Sequence, residues 1–275
     1  MSARAVASWS GACLFIVLFT TNPAYKALVL AAAFTTLAAG AGLERMHRLL
    51  KGVAIIAAID VALNFVSAHL GRTTLFALPE NIPALGGPYT LEALAFGAAN
   101  GVTVAAAILT AAALSLLTSP HDVMEALPKA LSRTGTAIAA SMNLVPAVAN
   151  SFTQVSEAQR LRGWQPKGPR SWAEVVVPVV LTSVEGSIQL AESMEARGFG
   201  SGPRTSMDTK HLTRNDWLLI TASAVAVAMF TIAQFAGWAT DWYPYPSFTI
   251  PQLDIRPTLA CGLLFAPAVL WRTRA

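Results

Sequence analysis

The sequence predicts an all-α integral membrane protein of about six transmembrane helices, with a helical cytoplasmic insertion between spans four and five. Three observations predict it. Of 275 residues, 54% are hydrophobic and only 12% are charged, about half the ~25% share typical of a soluble domain. Apolar stretches recur at 6–20, 27–43, 52–70, 91–118, 217–239 and 257–271, and about 20 apolar residues suffice to cross a bilayer. The remaining charge is concentrated: residues 119–216 hold 19 of the 34 Lys, Arg, Asp and Glu side chains. The mean hydropathy of +0.52 agrees. Together these figures exclude a soluble enzyme, a disordered tail and a disulfide scaffold.

The first stretch, 6–20, follows Arg4 as a signal peptide would. No small-x-small cleavage site precedes the second stretch, so it reads as a span. It and 257–271 fall below the lower limit of about 17 residues; the middle stretches are long enough. In 217–239, Trp217 and Trp238 lie 21 residues apart, about 32 Å at ~1.5 Å per residue, so an aromatic ring stands at each edge of the hydrocarbon. Basic residues set the orientation. With a cytoplasmic N-terminus, 16 Lys and Arg fall inside and 3 outside, namely Lys26, Arg72 and Arg256, so both termini are expected in the cytoplasm. The net charge of +4 then reflects cytoplasmic segments and not nucleic-acid binding. The outer loops 73–89 and 241–251 are rich in Pro, Gly and aromatics, and Tyr89, Trp242, Tyr243 and Tyr245 suit an interfacial belt. Cys13 and Cys261 lie in apolar stretches and read as small packing residues.

Three parts follow: membrane helices in 1–118, a helical cytoplasmic module in 119–216, and two further spans in 217–275. Asp60 is the one acid deep in a span, with Asn64 one turn on. An ionised group there costs roughly 2.5–3.5 kcal/mol, so it should face protein or be neutralised. Asp60 and Asn64 read either as a gate or proton site or, the favoured reading, as an intramembrane polar contact with a neighbouring helix or a partner.

The module reads as helical. Ser119–Asp122, Ser171–Glu174 and Thr213–Asp216 each have a capping residue followed three positions later by an acid. Two amphipathic stretches of about 20 residues, or about 30 Å, lie between. Leu144, Val145, Val148, Phe152 and Val155 make one apolar stripe, against Asn143, Asn150, Gln154 and Glu157. Val177, Val180, Leu181, Val184, Ile188 and Ala191 make the other, against Glu185, Gln189 and Glu192. Such helices could lie on the membrane surface or pack on the spans. Both end alike: Glu157-Ala-Gln-Arg-Leu-Arg162-Gly163 and Glu192-Ser-Met-Glu-Ala-Arg197-Gly198 share a Glu-x4-Arg-Gly frame 35 residues apart. Arg in a last turn followed by Gly is also the ordinary chemistry of a helix C-cap. The frame, occurring twice in one insertion with a Gly/Pro/basic tail after each, reads as a cap, a docking site, or both.

Nothing marks a catalytic or metal site. No G-x4-GK[ST] loop, HExxH or CxxC occurs, and His47, His69, His121 and His211 are scattered. No cofactor is expected on this chain.

The ordered motifs resemble the transmembrane T component of energy-coupling factor (ECF) transporters, the EcfT/CbiQ family. They are Asn22-Pro23; Thr118…Asp122-Val-x-Glu125-Ala-Leu; Pro146…Glu157-Ala-Gln-Arg-Leu-Arg-Gly163; Pro178…Met194-Glu-Ala-Arg-Gly-Phe199; and Arg204-Thr205. The resemblance covers most of 10–240. It implies that Arg162, Gly163, Ala196, Arg197 and Gly198 dock onto two cytoplasmic ABC-type ATPase subunits, which carry the ATP-Mg. Glu157, Leu161, Glu192 and Glu195 would support the coupling-helix ends. Leu161 departs from the usual Ala, which bears on how closely that contact closes. The resemblance further implies a non-catalytic subunit in a prokaryotic cell membrane. Its other partner would be a membrane S component that carries the substrate, a vitamin or a transition-metal ion. The substrate would be chosen there and not in this chain. An alternative is a self-contained secondary transporter or channel, which needs a polar midplane pathway; only Asp60 and a few Asn, Ser and Thr residues offer one. A membrane-embedded enzyme would gather acids around metal ions, and the spans lack them.

Overall fold

A computed structural model describes residues 2–40, 43–68, 70–79, 86–119, 122–123, 132–199, 201 and 212–272. In chain order the elements are α1 (Ala3–Phe19), α2 (Pro23–Gly40), α3 (Leu43–Ser67), β1 (Thr74–Leu78), β2 (Gly87–Thr90), α4 (Leu91–Leu117), α5 (Ser132–Leu161), α6 (Gly168–Ser171), α7 (Ala173–Ala196), α8 (Arg214–Phe235), α9 (Ile255–Leu263) and α10 (Ala266–Arg272). The chain divides into two compact units: Met1–Val123 with His211–Ala275, and Met124–Lys210. The architecture is that of an all-α membrane protein.

In the first unit, α2, Met46–Ser67 of α3, α4 and α8 are each long and apolar enough to cross a membrane, while α1 is shorter. Ser2 caps α1 by accepting from the Ala5 amide, and Thr90 caps α4 through the Ala93 amide. At α8 the expected capping box forms: Thr213 Oγ1 accepts from Asp216 N at 3.4 Å, and Thr213 N donates to Asp216 Oδ2 at 3.1 Å. The same carboxylate accepts from the Ser2 amide, which ties the start of α1 to the start of α8.

The last apolar stretch is not one continuous helix. It breaks at Leu264–Phe265 between α9 and α10. Pro267 accounts for the break: in an unbroken helix its ring would clash with the Leu263 carbonyl and its missing N–H would leave that carbonyl without a partner. The chain turns instead, and the indole of Trp9 donates to the Leu264 carbonyl at 2.8 Å.

The core of this unit joins α1, α2, α4, α8 and α9 around buried Trp9, Ile16, Tyr25, Leu37 and Phe230. Tyr25 meets Phe230 edge-on at 5.8 Å. Buried hydroxyls of Thr36, Thr110 and Ser223 donate to the carbonyl four residues back, so none needs an external partner. Cys13 and Cys261 are free and buried, as packing residues should be. Gly97 and Gly101 form a Gly-x3-Gly face on α4 that the hydropathy pattern does not reveal. A Cβ added at either would lie 3.0 Å from the Val61 carbonyl or side chain on α3, so their small size sets that helix–helix distance. Lys26, expected in a loop, lies in the first turn of α2 with its ammonium on Thr103 Oγ1 at 2.9 Å.

The 73–89 loop contains an antiparallel strand pair, β1 with β2, that opposes Phe76 to Tyr89. Behind it Glu92, fully buried, accepts from both the amide and the hydroxyl of Thr73. Gly71, at φ +137°, passes so close that a Cβ would lie 2.6 Å from Glu92 Oε2; only glycine fits there. Asn22, of the Asn-Pro pair, is fully buried and donates to the carbonyls of Thr240 and Gln252. Its structural work is to hold the connection between α8 and α9.

In the second unit, α5 packs along α7. The apolar stripe of α7 is exposed: Val177, Val180, Leu181, Val184 and Ile188 are each more than half uncovered. Length and composition alone also qualify α7 as a membrane span. By that measure α7, which the sequence reading places in the cytoplasmic module, stands with the candidate spans.

Candidate functional site

The Glu-x4-Arg-Gly frames end α5 and α7 in the same geometry. Gly163 adopts φ +86° and Gly198 φ +76°. The Gly163 amide donates to the Arg160 carbonyl at 3.0 Å and the Trp164 amide to the Gln159 carbonyl at 2.9 Å. At the other end Gly198 N donates to the Glu195 carbonyl at 2.8 Å and Phe199 N to the Met194 carbonyl at 2.9 Å. These are paired Schellman motifs, in which a left-handed residue closes the last turn and satisfies orphan carbonyls. Arg162 and Arg197 occupy the C-cap of each. Both are exposed, and among the described residues neither has an ion-pair partner.

A third helix in the chain ends the same way. At the end of α8, Gly237 at φ +72° donates to the Gln234 carbonyl and Trp238 N to the Ala233 carbonyl. The residue at its cap is Ala236. The motif thus requires the glycine and not the arginine.

The α5 end is fastened to the start of α7 by contacts that sequence spacing did not reveal. Pro178 lacks an N–H, so the Glu174 carbonyl one turn back has no helical donor. The side chain of Gln159, inside the first Arg-Gly frame, fills that vacancy, donating to the Glu174 carbonyl at 3.2 Å. Trp164, just after Gly163, is buried against Val155, Val175 and Val179. Its indole N–H donates to the Ser171 carbonyl at 2.8 Å. Trp172 stacks on Phe152 at 6.0 Å and meets Trp164 edge-on at 5.3 Å. The expected capping box at Ser171 does not form. Ser171 ends the short α6, its hydroxyl accepts from Lys167 N and donates to the Gly168 carbonyl, and α7 begins after Trp172 without a side-chain cap.

Beside Arg162 lies a polar concavity of about 490 Å³, lined by Gln159, Arg162, Gly163, Trp164, Lys167 and Glu174 among others. Leu161, the departure from the family pattern, is 90% exposed. At the second end, Ala196, Glu192 and Glu195 are exposed and Phe199 is 53% exposed. Glu157 is exposed at the first. The two ends thus share backbone geometry but differ in anchoring: Trp164 is buried where Phe199 is open.

Asp60 and Asn64 do not form a side-chain pair. Asn64 Nδ2 donates to the backbone carbonyl of Asp60 at 2.9 Å, and Asp60 Oδ2 is buried with no hydrogen-bond partner. Asn64 packs where α3 meets Gly97. Glu125, Arg204, Thr205, His69, His121 and His211 lie outside the described residues. Among the described residues no cluster of three or more His, Cys, Asp and Glu side chains could hold a metal ion.

Apolar helices of membrane-crossing length on either side of a helical unit with two Arg-Gly ends define a multi-pass membrane protein. The family model described as cobalt transport protein, CbiQ, matches residues 1–207, and the chain belongs to that family, the EcfT/CbiQ group. The matched region contains both Arg-Gly ends and stops before α8. No curated protein matches the chain.

Proposed function

We propose that this chain is the transmembrane scaffold and energy-transducing subunit of an ATP-driven ECF-type importer of a vitamin or transition-metal ion. It couples two ABC-type ATPase subunits to a membrane S component that carries the substrate. Membership in a transport family supports the broad reading. The observation that carries the finer one is the comparison of three helix ends. Capping explains Gly163, Gly198 and Gly237 alike, but α8 caps with Ala236 whereas α5 and α7 present exposed arginines. A guanidinium there offers a planar five-donor fork to a carboxylate on a partner. Two such forks let one chain grip two ATPases, so that the second contact forms at high effective concentration. In this reading both termini and the 119–216 module are cytoplasmic, in keeping with the 16-to-3 distribution of basic residues. The exposed stripe of α7 gains cover in the assembled complex.

Reconstitution separates this from a self-contained transporter. Uptake into liposomes should require the ATPases, the S component and ATP together with this chain. Substrate uptake by this chain alone would overturn the proposal.

A further inference from the structure

We infer that the segment joining α8 to α9 is seated in the bilayer leaflet at the C-terminal end of α8, with the Arg256 guanidinium on a phospholipid phosphate. Residues 238–254 contain no helix or strand, which would ordinarily mean a water-exposed loop. The segment exposes large apolar side chains instead, beside the polar Asp241, Ser247, Thr249 and Gln252: Ile250 is 77% exposed, Leu253 55% and Phe248 44%, and Ile255 at the start of α9 is 73% exposed.

Several of its backbone groups are held by protein side chains. Asn22 Nδ2 donates to the carbonyls of Thr240 and Gln252, the Trp242 indole donates to the Thr249 carbonyl at 2.6 Å, and Asp254 N donates to the Tyr25 hydroxyl at 2.9 Å. These bonds satisfy part of the irregular backbone, and at interfacial depth headgroup water reaches the rest.

Length points the same way. Helices α9 and α10 have 9 and 7 residues, and neither alone approaches the ~30 Å hydrocarbon core at ~1.5 Å per residue. Phe248, Ile250 and Leu253 precede α9 and extend its apolar surface. Trp238, 41% exposed just past α8, marks the interface. The Arg256 guanidinium carbon lies 3.9 Å from its ring centroid, and among the described residues no acid pairs with that guanidinium. A cation held at interfacial depth meets lipid phosphate, to which guanidinium binds in a bidentate manner.

The test uses the full chain with Cys13→Ala and Cys261→Ala, reconstituted in phosphatidylcholine–phosphatidylglycerol liposomes. An environment-sensitive fluorophore is attached at Ile250→Cys or, as a water reference, at Arg72→Cys. The expected result is blue-shifted emission at 250, with quenching by headgroup-spin-labelled lipid exceeding quenching by aqueous iodide; position 72 shows the reverse. Native mass spectrometry of Arg256→Gln should show several-fold less retained phosphatidylglycerol, with partial recovery in Arg256→Lys. Iodide quenching at 250 equal to that at 72 would overturn the inference. So would protection at 250 that arises only when a protein partner is added, or lipid retention unchanged by Arg256→Gln.

Discussion

Arg162 and Arg197 sit where a helix has just run out of hydrogen-bond donors, at the negative end of its dipole. A cation is favoured there by about 0.3–1 kcal/mol, and the glycine that follows supplies the left-handed turn. The two roles separate by substitution. Gly163→Ala and Gly198→Ala force a Cβ into the left-handed region and should each destabilise by about 1 kcal/mol, read as a lower melting temperature of the detergent-purified chain. Arg162→Lys and Arg197→Lys keep the charge and the cap but lose the planar fork. They should leave melting unchanged while weakening ATPase co-purification several-fold. An Arg→Lys pair that binds ATPase as tightly as the parent would contradict a bidentate contact.

The anchoring of α5 shows what an element adds to a residue. Pro178 leaves the Glu174 carbonyl free, Gln159 takes it, and Trp164 is clamped between Val155, Val175 and Val179. Trp164→Ala should therefore reduce ATP-driven uptake by mispositioning Arg162. Membrane insertion should be retained and the α7 end should still bind. Trp164→Phe keeps the ring and should recover part of the activity. Equal uptake in parent and Trp164→Ala would remove the clamp from the account. The α3–α4 contact is tested similarly. Gly101→Leu pushes against Val61 and Ala57 and should cost about 1–3 kcal/mol, seen as loss of thermal stability. The long spans were legible in the sequence because hydropathy averaged over a window reports burial in lipid. Features that depend on one residue or on distant partners were not. Pro267 broke the last stretch without lowering its average. Ser171 read as a cap but is engaged by Lys167 and Gly168. The Gln159–Glu174 bond required knowing that α5 and α7 lie side by side. The Arg-Gly frames were legible because they repeat. Their status as one geometry used twice emerged only from the positive φ of Gly163 and Gly198.

For the whole molecule, the proposed orientation rests on the distribution of charge. Arg72 and Arg256 are exposed on one side of the proposed topology, and Arg162, Lys167 and Arg197 are exposed on the other. In a Cys13→Ala, Cys261→Ala background, Arg72→Cys in intact cells should react with a membrane-impermeant maleimide, whereas Lys167→Cys should react only after permeabilisation. The reverse pattern would invert the orientation and remove the ATPase-facing role of the module. The central claim, that the two Arg-Gly ends hold the ATPases, is tested most directly by co-purification of the cognate ATPase subunits with Arg162→Glu/Arg197→Glu. The account predicts that the double variant inserts like the parent and melts only slightly lower, as two anions at the negative helix ends require, that each single variant retains part of the ATPase, and that the double variant retains almost none. ATPase recovered with the double variant at the parental level would contradict it.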